Sequence, residues 1–183
     1  MSLQVEQEAG LITQAESGSK PAFAALYELY LAEIYRYVYY RVMDHMEAED
    51  LIEKVFIKAW ESLTRPRPNR QPLQNFRAWL YRIARNTVID HQRMARHAVS
   101  IEDIDRLQVN HPGLQEQVEQ DERAQQLAQA LSQLDEISRE VLLLRFVNQL
   151  SHADAATVMG ISENHMRVLQ YRALKKMKVL LNA

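Results

Sequence analysis

The chain has 183 residues, enough for one medium domain or two small ones, and its 47% hydrophobic and 25% charged content is ordinary for a folded protein. It has no cysteine, which excludes disulfides and thiolate metal sites and fits a reducing cytosol. The net charge of −2 taken alone argues weakly against nucleic-acid binding, but its distribution reverses that impression. Residues 1–64 carry 5 basic and 11 acidic side chains, residues 65–97 carry eight Arg against the single Asp90, and residues 98–122 carry Arg106 against seven acids. The last basic block, 162–183, sets five cations against Glu163.

The N-terminus, 1–14, carries Glu6 and Glu8 and lacks a basic leader followed by an apolar core, so no secretory signal is expected. No apolar run approaches the roughly 18 residues needed to span a bilayer, so a cytoplasmic protein without membrane insertion is expected. Gly and Pro total nine residues and leave long uninterrupted stretches, and no Asn-Gly or Asp-Gly hairpin signal occurs. The chain reads as all-α.

Ser19 and Pro21 mark a helix start. Phe23, Leu26, Tyr27, Tyr30, Ile34, Tyr37 and Val38 then recur at helical steps. A second helix carries Leu51, Ile52, Val55, Phe56, Ala59, Trp60 and Leu63 on one stripe and ends before a segment, 65–72, whose three prolines forbid regular helix. A third helix is expected over about 75–96. On its wheel Phe76, Leu80, Ile83, Thr87, His91 and Met94 share one arc, and Arg77, Tyr81, Arg82, Arg85, Arg93 and Arg96 the other, with Trp79 and Asn86 at the edge. Cations interleaved with aromatics hold single strands, because rings stack on unpaired bases while guanidiniums track phosphates. The competing reading places Trp79 in the core and leaves the arginines as a solvated face.

Asn110-His111-Pro112-Gly113 is a strong turn signal inside the acidic block, and a linker is expected at 97–115. It divides an N-terminal domain, 1–96, from a C-terminal one, 116–183. The latter should hold helices near 116–134, 136–147 and 151–159 and a last one from Ser162. Within 152–171 the spacing is that of a helix-turn-helix. Ala156 allows close helix approach, Gly160 supplies the turn, and Ile161, Met166 and Leu169 pack the second helix on the first. Ser151 with Asp154 forms a capping box, and Ser162 can cap the second helix. That helix would present Ser162, Glu163, Asn164, Arg167, Val168, Tyr171, Arg172 and Lys175 to DNA, early residues at base edges and later cations at phosphates. A plain helical hairpin with a basic face is the alternative.

Three stretches carry a family resemblance. Glu47-Ala48-Glu49-Asp50-Leu51-Ile52-Glu53-Lys54-Val55-Phe56-Ile57-Lys58-Ala59-Trp60 resembles the polymerase-binding segment of extracytoplasmic-function sigma factors. Phe76-Arg77-Ala78-Trp79-Leu80-Tyr81-Arg82-Ile83-Ala84-Arg85-Asn86, continuing to Asp90 and Arg93, resembles their promoter-melting helix. Arg139-Glu140-Val141-Leu142-Leu143-Leu144-Arg145 with the helix-turn-helix resembles their fourth region. Departures are Glu53-Lys54 in place of Gln-Glu, His152-Ala153 after the Leu-Ser pair, and His165-Met166 in place of Thr-Val.

The resemblance implies two small helical domains joined by an acidic linker. Asp50, Leu51, Glu53 and Phe56 would dock on the coiled coil of the largest subunit of core RNA polymerase. Asn69, Arg70 and Gln71 would read the flipped base of the minus-ten element, with Arg77, Trp79, Tyr81, Arg82, Arg85 and Asn86 on the melted strand. The recognition helix would read promoter DNA at minus thirty-five, and an anti-sigma factor would hold the free protein inactive. The runner-up is a self-sufficient helix-turn-helix regulator, which leaves the basic aromatic helix unexplained. An enzyme is not expected: no Gly-rich phosphate loop or nucleophile elbow occurs. Nor is any cofactor or metal expected. His45 with Glu49 is the best-spaced metal pair, and a surface hydrogen bond accounts for it more simply.

Overall fold

The computed structural model describes residues 3–66, 73, 75–97 and 122–181. Among these residues the structure is helical and contains no strand, as the all-α reading requires.

Helix α1 (Leu3–Glu16) was not signalled by the sequence, because Gly10 interrupts it and its apolar residues form no sustained stripe. It is held by tertiary contact instead. Ala15 is buried, Leu11 and Ile12 pack on the core, and Glu8 accepts the Tyr30 hydroxyl hydrogen bond. In α2 (Lys20–Val42), Ser19 caps the start by accepting from the Ala22 N–H at 3.4 Å, with Pro21 in the first turn. One face buries Leu26, Tyr30, Ile34, Tyr37, Val38 and, unexpectedly, Arg41. The helix stops at Met43, whose φ of 58° is left-handed, and Asp44 at once caps α3 (His45–Thr64) by accepting from the Glu47 N–H at 2.7 Å. These adjacent caps fold α3 back along α2 in two residues.

The expected α3 stripe is the buried one, except that Trp60 is half-exposed. Helix α4 (Phe76–His97) starts where Asn75 Oδ1 accepts from the Ala78 N–H at 2.9 Å. Phe76, Leu80 and Thr87 are buried as expected, but Met94 is 70% exposed. His91 already meets Glu47 in the first turn of α3, so α4 overruns its partner beyond that point.

In the C-terminal half α5 (Glu122–Ser132) is followed by α6 (Glu136–Leu142), capped by Asp135. The chain then widens into one π-helical turn, Leu143–Val147, rather than continuing as regular helix. Asn148 closes that turn: its backbone N–H and its side-chain amide both donate to the Leu143 carbonyl, at 2.9 and 3.1 Å. Helices α7 (His152–Met159) and α8 (Glu163–Leu181) complete the half. Ser151 caps α7, Gly160 (φ 69°) ends it, and Ser162 Oγ accepts from the His165 N–H at 3.2 Å.

Each half could have buried a separate small core. Instead the buried apolar residues run as one cluster from Ala15 to Ala173. Helix α7 packs along α4, and the π-turn packs against α2. The expected linker falls almost entirely outside the described residues.

Candidate polymerase and nucleic-acid interfaces

The first candidate surface is an apolar groove of about 530 Å³ between α2 and α3. Phe23, Tyr27, Phe56, Ile57 and Trp60 line it, with Lys20, Glu53 and Glu61 at its rim. The rings brace one another: Tyr27 and Phe56 are 4.6 Å apart between centroids, Phe23 and Trp60 5.1 Å. Of the four residues expected to dock, Glu53 is exposed and Asp50 half-exposed. Leu51 is 1% exposed and faces the core, so it supports the surface and cannot touch a partner. Phe56 is nearly as buried and forms the groove floor. The residues that sequence reading missed are Phe23, Tyr27, Ile57 and, as a contact residue, Trp60. Ile57 carried a signal, since it is apolar on the polar side of the α3 stripe.

The second surface is α4. Arg82 and Asn86 are exposed, as a strand-binding face needs. Trp79 is half-buried, with its ring centroid 5.4 Å from that of Phe76. Of three other expected strand contacts, Arg77 and Arg85 reach residues of the C-terminal half, and Tyr81 is enclosed. Tyr81 is fully buried, edge-on to Tyr37 with centroids 5.4 Å apart. Arg77 holds Glu33 in a two-pronged ion pair at 2.9–3.2 Å and donates to the Asn148 carbonyl at 2.6 Å. Arg85 Nε lies 3.8 Å from Glu140 Oε1. In this arrangement these three residues do not form an open platform: the wheel gave their shared face but not the partners that take it up. Asn69, Arg70 and Gln71 lie outside the described residues, as does the Arg96 side chain.

The contact between halves is built on charge. Glu140, 2% exposed, accepts from Tyr37 Oη at 2.6 Å and pairs with Arg41 Nη1 at 2.5 Å. Arg41 also reaches Glu136 at 3.1 Å. Burial and the neighbouring Glu140 carboxylate push the Tyr37 hydroxyl well above its ordinary pKa, so it stays a donor. Burial by itself would lower Arg41, but Glu140, Tyr37 and Glu136 more than offset it.

The third surface is the helix-turn-helix. Met166 and Ala173 are buried against the rest of the half. The capping Ser162 and, on α8, Glu163, Asn164, Arg167, Val168, Tyr171, Arg172 and Lys175 are all exposed. Glu163 and Arg167 pair with each other at 2.5 Å. His45, the candidate metal ligand, instead places Nδ1 2.8 Å from Tyr35 Oη and stacks on Tyr39. Among the described residues no group of His, Cys, Asp and Glu is arranged to hold a metal, and no helix is long and apolar enough to cross a membrane.

These three surfaces, in this order along the described helices, are those expected of a sigma-type transcription factor. The sigma-70 region 2 profile matches residues 26–98 and the sigma-70 region 4 profile residues 124–177. The sigma-H factor of Pseudomonas aeruginosa is 32% identical over 180 residues, covering 92% of this chain and 90% of that protein. The ECF sigma factor BldN of Streptomyces coelicolor is 35% identical over 173 residues, 93% of this chain; the chain spans 64% of BldN's length. The solved structure of CnrH in complex with the cytosolic domain of CnrY superposes with a TM-score of 0.73 at 26% identity, over 96% of this chain and 97% of that one. CnrH comes from Cupriavidus metallidurans. The chain belongs to the sigma-70 family of RNA polymerase sigma factors, in its extracytoplasmic-function group.

Proposed function

We propose that the chain binds core RNA polymerase through the α2–α3 groove and directs initiation at particular promoters. The observation that carries this reading is the groove itself, an aromatic floor with Glu53 and Glu61 on its rim. Apolar pockets ringed by charge suit a helical partner with an apolar ridge and basic flanks, and such anchors supply most of the energy of an interface. The coiled coil of the largest polymerase subunit is that partner. Helix α4 then holds the melted minus-ten strand through Trp79, Arg82 and Asn86, joined by Arg77, Tyr81 and Arg85 once these are uncovered. Asn69, Arg70 and Gln71 read the flipped base, and α8 reads the minus-thirty-five duplex. The chain catalyses nothing by itself and works in the cytoplasm, where polymerase is.

CnrH is solved in complex with the cytosolic domain of CnrY, and by likeness a protein inhibitor of the anti-sigma kind holds this chain between bouts of use. The domain boundaries that fit this division are 1–96 and 116–183, with the acidic segment 97–115 between them. The deciding test is run-off transcription with purified core enzyme on the promoter upstream of the chain's own gene. A defined transcript that requires both components supports the reading; no transcript together with no core binding refutes it.

A further inference from the structure

His152 is the first residue of α7, directly after the capping Ser151, and is partly exposed. Its charged neighbours come from two other elements. From the π-turn, Arg145 donates through Nε to Gln170 Oε1 of α8 at 2.9 Å and through Nη1 to the Leu150 carbonyl. One guanidinium thus ties the start of α7 to the recognition helix. From α8, Gln170 shares a side-chain hydrogen bond with His152, and Arg167 and Glu163, paired with each other at 2.5 Å, stand close by. On its own helix, Asp154 is taken up by Ser151 and Asn75, at 2.7 and 2.5 Å.

A protonated ring at this place meets two guanidiniums against one carboxylate. Its partial burial, then Arg145 and Arg167, lower the His152 pKa below the ordinary histidine value. The Gln170 hydrogen bond and Glu163 offset this only in part, so the free chain holds the ring mostly neutral at neutral pH. A duplex changes that balance. The first helix of a helix-turn-helix crosses the DNA backbone, and its phosphate contacts set the register of the second. A phosphate between α7 and α8 cancels the positive field around the ring and favours its charged form.

We propose that His152 is a proton-linked contact of the minus-thirty-five surface: neutral in the free chain, it grips a backbone phosphate as a cation, and duplex binding takes up a proton at this ring. This rests on the reading of α8 as the recognition helix. His152 is also one of the chain's departures from the family pattern, so the linkage is something this residue adds. Binding raises the ring's pKa. The gain in affinity is therefore fully present below the free-state value and lost as pH rises through the bound-state value.

The test is a fluorescence-anisotropy titration of holoenzyme, assembled from core polymerase and the full chain, on a labelled fragment of the promoter upstream of the chain's own gene. His152→Gln keeps a hydrogen-bonding amide beside Gln170 and cannot be charged. Taking the ratio of wild-type to variant affinity at each pH removes the titration of other groups, the exposed His165 included. That ratio should lie near 1 at about pH 8 and rise to about fivefold at about pH 6, the scale of a pKa shift approaching one unit. At the lower pH the wild-type salt slope should also be steeper than that of His152→Gln by about one phosphate contact. Parallel pH profiles overturn the linkage, and a rising ratio with equal salt slopes overturns the phosphate contact. Lys175→Ala is titrated alongside and should weaken binding equally at both pH values. If it does so while wild type and His152→Gln stay parallel, the His152 proposal alone fails; if Lys175→Ala also changes nothing, the recognition-helix reading fails with it.

Discussion

Ile57 stands 56% exposed on α3 in the wall of the aromatic groove, where no fold-stabilising role accounts for it. Ile57→Asp should weaken co-purification with core polymerase by at least about tenfold while leaving the urea midpoint nearly unchanged, because an interface anchor is lost and no cavity is made. Phe56 is a worse probe of the same surface. It is buried beneath Tyr27, and Phe56→Ala should cost about 3–5 kcal/mol of stability through the cavity alone. On α4 the same distinction separates Arg82 from Arg85. Arg82→Glu, at an exposed position, should abolish permanganate reactivity of melted promoter bases while polymerase association survives. Arg85→Glu would set a carboxylate against Glu140 and disturb the contact between the halves as well, so it does not isolate strand contact.

Helix ends are where local sequence and tertiary structure meet in this chain. Asp135 caps α6 by accepting from the Ser138 N–H, and it also receives the Lys176 ammonium from α8. The Lys176 hydrogen bond, outweighing partial burial and helped by Ser138, lowers the Asp135 pKa from 3.8 to about 2. A folded pKa below the unfolded one means the contribution is fully present above the ordinary carboxylate value and is lost as pH falls through about 2. Asparagine caps a helix about as well as aspartate, so Asp135→Asn removes the charge and keeps the cap. The urea midpoints of wild type and Asp135→Asn should differ at neutral pH and converge as the pH is lowered from about 4 toward 2. On α8, Glu163 and Arg167 neutralise each other in the absence of DNA. An exposed pair of this kind is worth about 0–1 kcal/mol, a small barrier to either residue turning toward a base. Arg167→Ala should relax preference at one base position of the minus-thirty-five element. Lys175→Ala should weaken binding evenly across sequences and flatten its salt dependence, as measured by titrating the holoenzyme on a set of promoter variants.

For the molecule as a whole, a net charge of −2 and a single basic recognition helix offer few phosphate contacts. In gel shifts at physiological salt the isolated chain should bind duplex promoter DNA weakly, and core enzyme should raise affinity by holding both halves on one fragment. Nanomolar specific binding by the chain alone, unchanged by core, would instead favour a self-sufficient regulator.

The sequence by itself determined much of what depends on neighbours within a turn or two, though not the Asp44 and Asp135 caps or the π-turn. The stripes of α2 and α3, the proline break after Arg65, the Ser151 and Ser162 caps and the Gly160 turn are local signals, and each appears where its chemistry requires. The exposed row on α8 was equally legible, because a helix packed on one side leaves the other to solvent. Tertiary structure alone decided the rest. Helix α1 exists because Leu11, Ile12 and Ala15 find a core to lie on. Leu51 turned inward and Ile57 outward because α1, α2 and α4 packing on α3 enclose the first and leave the second uncovered. Above all, Arg41 and Glu140 lie 99 residues apart in the chain and in contact in the fold. No periodicity links two such charges; burial selects them as partners because neither can be enclosed without the other.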